Sequence, residues 1–101
     1  MTNADALKQA DAMDQRFKQG GMAGPLHCIP MLVKDNFETI GLQSANGSLS
    51  LQGFASDQDA FQVKKIKDGG AIVIAKTNMA EWAFSPVETI NSILPGYTKN
   101  P

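Results

Sequence analysis

Two short apolar runs constrain this chain more than any other feature. Residues 29–33 read IPMLV and residues 71–75 read AIVIA, each about one strand long and neither alternating with polar residues. A run that is apolar at every position suits a strand covered on both faces, as in parallel sheets. Pro30 falls at the start of the first run, where a missing ladder N–H is tolerated. Between the runs, residues 57–68 carry Ala60, Phe61, Val63, Ile66 and the aliphatic stem of Lys67 on one helical face. Asp57 or Asp59 is placed to cap that helix, and Gly69-Gly70 to end it. Strand, helix, strand in that order predicts a βαβ crossover with parallel strands. The expected class is therefore α/β, with two buried parallel strands and two main helices. The other helix is expected over residues 3–19, capped by Thr2 or Asn3, with Ala6, Leu7, Ala10, Met13 and Phe17 at spacings of three and four.

The remaining stretches read as connections. Residues 36–56 hold Gly41, an Asn46-Gly47 turn and Gly53, with one helical turn expected at residues 48–51. Residues 79–83 are expected to form a short helix capped by Asn78. From Phe84 onward the chain reads as loop. Two strands leave two free ladder edges, and a sheet that small ordinarily needs more strands. The expected partners are further copies of the chain, as a homo-oligomer, or a complementing chain.

With 101 residues, the chain is expected to form a single domain over 1–101. Folding at this size buries roughly 60–70% of the unfolded surface, enough for one modest core. Nine basic residues face ten acidic ones, a net charge of −1 that argues for neither nucleic acid nor an anionic membrane as partner. Lys64, Lys65 and Lys67 read as the wet face of a helix. One cysteine, Cys28, forms no intrachain disulfide, and with one histidine, His27, it makes no zinc site. Nothing calls for a metal or another cofactor. The first residues, MTNADALKQADAMDQ, show no signal peptide, and no apolar run approaches a membrane span. The default expectation is cytoplasmic.

Lys34 ends the first apolar run and is followed at once by Asp35 and Asn36. Taken alone, it is either a strand-end lysine whose stem packs while its head reaches water, or a base. Four blocks bear on the choice: GPLHCIPMLVKDNFET, SANGSL, GGAIVIAKTNMAEW and GYTKNP. Together, in this order and spacing, they resemble the amidase signature family, serine hydrolases that cleave C–N bonds. The resemblance runs from about residue 5 to the end. It implies an α/β/α sandwich, of which this chain carries the N-terminal part. It implies that Lys34 is the base of a Ser-Ser-Lys triad, in which one serine relays a proton and another attacks the carbonyl. A lysine serves as a base once desolvation lowers its pKa. Asp35 would oppose that lowering, so its side chain is expected to point elsewhere, as strand alternation allows.

The family's two serines belong to a block resembling GGSSGG, which is not among these residues. None of Ser44, Ser48, Ser50, Ser56, Ser85 and Ser92 sits in such a setting. The expectation is a truncated amidase-type segment, inactive alone, with an interaction module as the other reading. A third reading, an enzyme using Cys28, His27 and Lys34, rests on proximity. Cys28 stands where the family often has glycine, and fits if the backbone there avoids positive φ. It is expected to be packed and inert, with His27 a structural or surface residue on the opposite face of the strand. Lys76 is expected to be structural or pocket-lining, and Trp82 and Phe84 to be core residues.

Overall fold

The structure is a computed structural model, and it describes residues 1–83, 91–92 and 96–98. Helix α1 spans Ala6–Gly20, strand β1 Pro30–Lys34, helix α2 Phe61–Asp68 and strand β2 Ile72–Thr77. A one-turn 3-10 helix lies at Leu49–Leu51. In place of the short helix expected over 79–83, Glu81–Ala83 form a turn in which Trp82 and Ala83 are left-handed (φ 53° and 60°). β1 and β2 pair in parallel, with Val33 opposite Lys76 and Lys34 opposite Thr77. The register slips between Met31 and Leu32, which leaves Ile74 as the extra residue of a bulge. This is the expected α/β arrangement of two helices and a parallel pair.

Burial on the two strands is unequal. β2 is buried at Ile72, Val73 and Lys76, whereas β1 is buried at Val33 alone, and Leu32 is 59% exposed. The core consists of Val33, Leu42, Val63 and Val73, with Phe37, Ala60 and Ile66 packed against it. It is formed where α2 lies on the sheet and the long connection folds over the strand ends.

The outer edge of β2 is covered by the start of the chain. Thr2 bridges Ala75 in antiparallel sense. The Lys76 N–H donates to Met1 O (2.9 Å), the Asn3 N–H to Ile74 O (2.8 Å) and Asn3 Nδ2 to Val73 O (2.7 Å). Thr2 and Asn3, read from sequence as helix caps, are thus tied mainly to the edge of β2, Thr2 through an isolated bridge. Asn3 keeps part of the capping role, since its Oδ1 accepts from the Asp5 N–H at 3.0 Å. The outer edge of β1 has no strand partner among the described residues.

Three further expectations need correction. α2 starts at Phe61 behind Ala60, not at an aspartate cap, because the Asp59 carboxylate is already committed. It accepts from the Ile40 N–H (2.8 Å) and pairs with Lys67 Nζ (2.7 Å). Phe61 points outward rather than into the helix's inner stripe, as do Leu7 and Phe17 on α1. Trp82 is 56% exposed rather than core. Its N–H donates to Asn46 O (3.0 Å) and its backbone is left-handed (φ 53°), so the side chain is turned out of the fold. Phe84 lies outside the described residues. The tail is not wholly loop, since β3 (Asn91–Ser92) pairs antiparallel with β4 (Gly96–Tyr97).

Candidate functional site

The GPLHC segment forms a tight turn, not a strand. The His27 N–H donates to Gly24 O (3.1 Å) and the Ile29 N–H to Leu26 O (3.0 Å). The turn is seated on the glycine pair that ends α2, with Leu26 N–H donating to Gly69 O (2.8 Å) and Cys28 N–H to Gly70 O (2.9 Å). Contact is backbone on backbone: a Cβ on Gly24 would lie 2.6 Å from Gly69 O. The expectation that His27 and Cys28 take opposite strand faces therefore fails, because the strand begins two residues later, at Pro30.

His27 is structural. Its Nδ1 accepts from the Ala23 N–H at 2.9 Å, and its ring lies 5.9 Å from that of Phe17. Cys28 is half-buried and adopts φ 61°, a conformation suited to glycine. A side chain in this region carries a strain of roughly 1–2 kcal/mol. The cysteine is tolerated because two hydrogen bonds to the Gly69-Gly70 pair hold the turn in shape.

Lys34 and Lys76 point to different places. Paired residues of a parallel ladder share a face, so Val33 and Lys76 both point into the core and the next pair, Lys34 and Thr77, points away. Lys34 is exposed, and its side chain makes no hydrogen bond or ion pair among the described residues. It borders an apolar groove of about 160 Å³ lined also by Leu32, Val33, Phe37, Val63 and Ile66. The Asp35 carboxylate, one residue on, faces the other way. Its Oδ2 accepts from the Gly47 N–H (2.9 Å) and its Oδ1 lies 3.9 Å from Lys76 Nζ.

Lys76 is 7% exposed. Its Nζ donates to Phe37 O (2.7 Å), Ser44 Oγ (2.8 Å) and Gln43 O (3.3 Å), which uses its three hydrogens. Burial pulls its pKa below the usual lysine value, and Asp35 partly offsets this. A serine hydroxyl 2.8 Å from a buried lysine has the composition of a nucleophile and base. Here the Ser44 hydroxyl also donates to Phe37 O (3.2 Å), and both residues are buried under the connection. Ser48 is committed as well, its Oγ donating to Glu81 Oε1 at 2.6 Å. These hydroxyls tie the fold together and are not presented to a substrate.

The loops after β1 and β2 therefore meet at the carboxyl ends of parallel strands, where open α/β sheets bind ligands. Ser48 to Glu81 and Trp82 to Asn46 are the ties between them, while Asp35 to Gly47 closes the loop after β1 on itself. A separate recess of about 460 Å³ is lined by Asp5, Gln9, Thr39, Lys67 and others, and includes none of the candidates named from sequence. No metal-binding group of three or more His, Cys, Asp or Glu occurs among the described residues, nor any helix long and apolar enough to cross a membrane. The role of Lys76 as the centre of the interior polar cluster was only half visible. A charged residue within IVIAKT signals a buried or functional lysine, but its partners come from more than thirty residues earlier.

The comparisons with known proteins agree with this layout. The family model described as Amidase matches residues 1–101. One relative, a subunit of the mitochondrial glutamyl-tRNA(Gln) amidotransferase of Xenopus tropicalis, is 42% identical over 101 residues, which is 100% of this chain and 19% of that protein. The peptide amidase PAM, solved with the competitive inhibitor chymostatin, superposes with a TM-score of 0.85 at 40% identity, covering 99% of this chain and 21% of its own. The native peptide amidase from Stenotrophomonas maltophilia superposes at 0.77 with 43% identity, covering 92% of this chain and 18% of its own. The chain thus spans about a fifth of the length of these relatives. Matched by the family model from its first residue to its last, and by solved amidases in both sequence and fold, the chain belongs to the amidase family.

Proposed function

We propose that this chain contributes the base of a C–N hydrolase site and is inactive alone. In this reading Lys34 accepts the proton of a serine hydroxyl as that oxygen attacks an amide carbonyl. The serine comes from a Gly-Ser-Ser-Gly block that these 101 residues do not contain. The observation that carries the reading is the placement of the VKDN lysine in a chain of this family. Lys34 stands at the carboxyl end of β1, uncommitted among the described residues, with the neighbouring carboxylate turned toward Lys76. General-base chemistry needs a lysine as the neutral amine, a form that desolvation favours, so in this reading polypeptide laid over the groove beside Lys34 supplies that desolvation. The names of the relatives, a peptide amidase and part of an amidotransferase, point to an amide as the substrate class.

The test is ammonia release from an amidated peptide and from glutamine. The chain alone is expected to release none. Mixed with a polypeptide supplying the remainder of an amidase domain, it is expected to release ammonia at a rate that Lys34→Ala lowers by roughly 10²–10⁴-fold, the usual worth of a general base. Lys34-dependent hydrolysis by the chain alone would overturn the inactivity. Hydrolysis by the mixture that ignores Lys34→Ala would overturn the base.

A second reading is favoured by the edge of β1, unpaired among the described residues, and the 59% exposure of Leu32 on it. An unpaired edge flanked by apolar surface is a template for another strand. Here the chain self-associates or complements another chain through β1.

A further inference from the structure

The Lys34 carbonyl belongs to a four-residue turn, accepting from the Phe37 N–H at 3.0 Å. The Phe37 carbonyl is in turn the shortest contact of Lys76 Nζ, at 2.7 Å, and also accepts from Thr39 Oγ1 (3.0 Å) and Ser44 Oγ (3.2 Å). The Asp35 N–H donates to Thr77 O (3.1 Å), which fastens the middle of the same turn to the end of β2. We propose that Lys76 is a positioning residue for Lys34, clasping the turn 34–37 from inside the core so that Lys34 leaves β1 in one fixed direction. This rests on the reading of Lys34 as the base.

The physical reason lies in what a buried ammonium requires. Its charge is stable in the interior only when its hydrogens are all taken by oxygens. Lys76 satisfies this by gathering carbonyls from residues 37 and 43 and the hydroxyl of residue 44 around one point. Moving the turn would strand a charge, so the turn is held more stiffly than its own 34-to-37 bond would hold it. A general base gains from such stiffness, because proton transfer needs it within hydrogen-bond reach of the hydroxyl. Bulk packing would be served by an apolar residue at 76. The choice of lysine, in a strand otherwise reading IVIA, serves the turn.

The test is nuclear magnetic resonance on the chain itself, comparing it with Lys76→Met. The coupling across the Phe37 N–H to Lys34 C=O bond reports that one bond directly. Amide exchange at Asp35, Phe37 and Ser44 is compared with exchange at Val33 and Val73 in the strands. The expected result is loss of the 37-to-34 coupling and at least about tenfold faster exchange in the turn, with the strand amides changed less than about threefold. Equal acceleration everywhere would mean that Lys76 only stabilises the fold, and would overturn the proposal. So would an unchanged coupling. Should Lys76→Met not fold, Ser44→Ala removes one arm of the clasp. It is expected to speed Phe37 exchange about threefold without touching the strands, and no change at Phe37 would overturn the proposal. None of these readouts depends on hydrolysis. An assembled enzyme indifferent to Lys34→Ala would sink the base while leaving the clasp intact, and an unclasped turn in a Lys34-dependent enzyme would do the reverse.

Discussion

Lys34 and Lys76 show how one step along a ladder divides two identical side chains. Lys76 shares a face with Val33 and is buried, while Lys34 shares one with Thr77 and is exposed. The buried one makes stability depend on pH. Burial lowers the folded-state pKa of Lys76 below the 10.5 of an ordinary lysine, with Asp35 acting weakly against it. Between the folded value and 10.5 the unfolded chain binds more protons, so stability rises with pH through that interval. Denaturant midpoints measured between pH 7 and 10.5 are expected to climb more in the native chain than in Lys76→Met. Equal slopes would show that Lys76 is not the group responsible. The opposed directions of Lys34 and Asp35 match the alternation read from the sequence, although Asp35 already belongs to the turn and its carboxylate is held by the Gly47 N–H. The positive φ of Cys28 was not, since nothing in that residue type announces a left-handed turn. It follows from the seat on Gly69-Gly70, a contact between segments more than forty residues apart.

Among the elements, the order helix, strand, helix, strand and the parallel pairing followed from the two apolar runs and the glycine stops. The boundaries did not, and the reason is competition for the same side chains. Asp59 holds Ile40 and Lys67 and so cannot cap α2, while Thr2 and Asn3 hold β2 and start α1 late. The close seat between the GPLHC turn and the end of α2 yields a sharp test. Gly24→Ala places a methyl 2.6 Å from Gly69 O, with backbone on both sides, and is expected to cost roughly 2 kcal/mol as overpacking. Gly20→Ala, at the last residue of α1 with nothing within 4 Å, is expected to be neutral or to stabilise by about 0.5 kcal/mol. Chemical denaturation of the two variants side by side decides it, and equal midpoints would mean that the turn gives way freely.

For the whole molecule, the exposed apolar residues are the informative feature. Leu32 on β1, at 59% exposure, and Phe61 on the outer face of α2, at 73%, present apolar side chains to solvent. Where such residues join into one contiguous patch, the surface marks an interface. If the self-association reading holds, light scattering behind size exclusion should give twice the 10.8 kDa of one chain, and a mass of one chain at all concentrations would remove it. In that reading the stop at two would come from the first three residues. By lying along β2 they leave β1 as the open side of the sheet among the described residues. Two copies joined through β1 would use up both open sides at once, so the sheet would close as a pair rather than lengthen into a fibre.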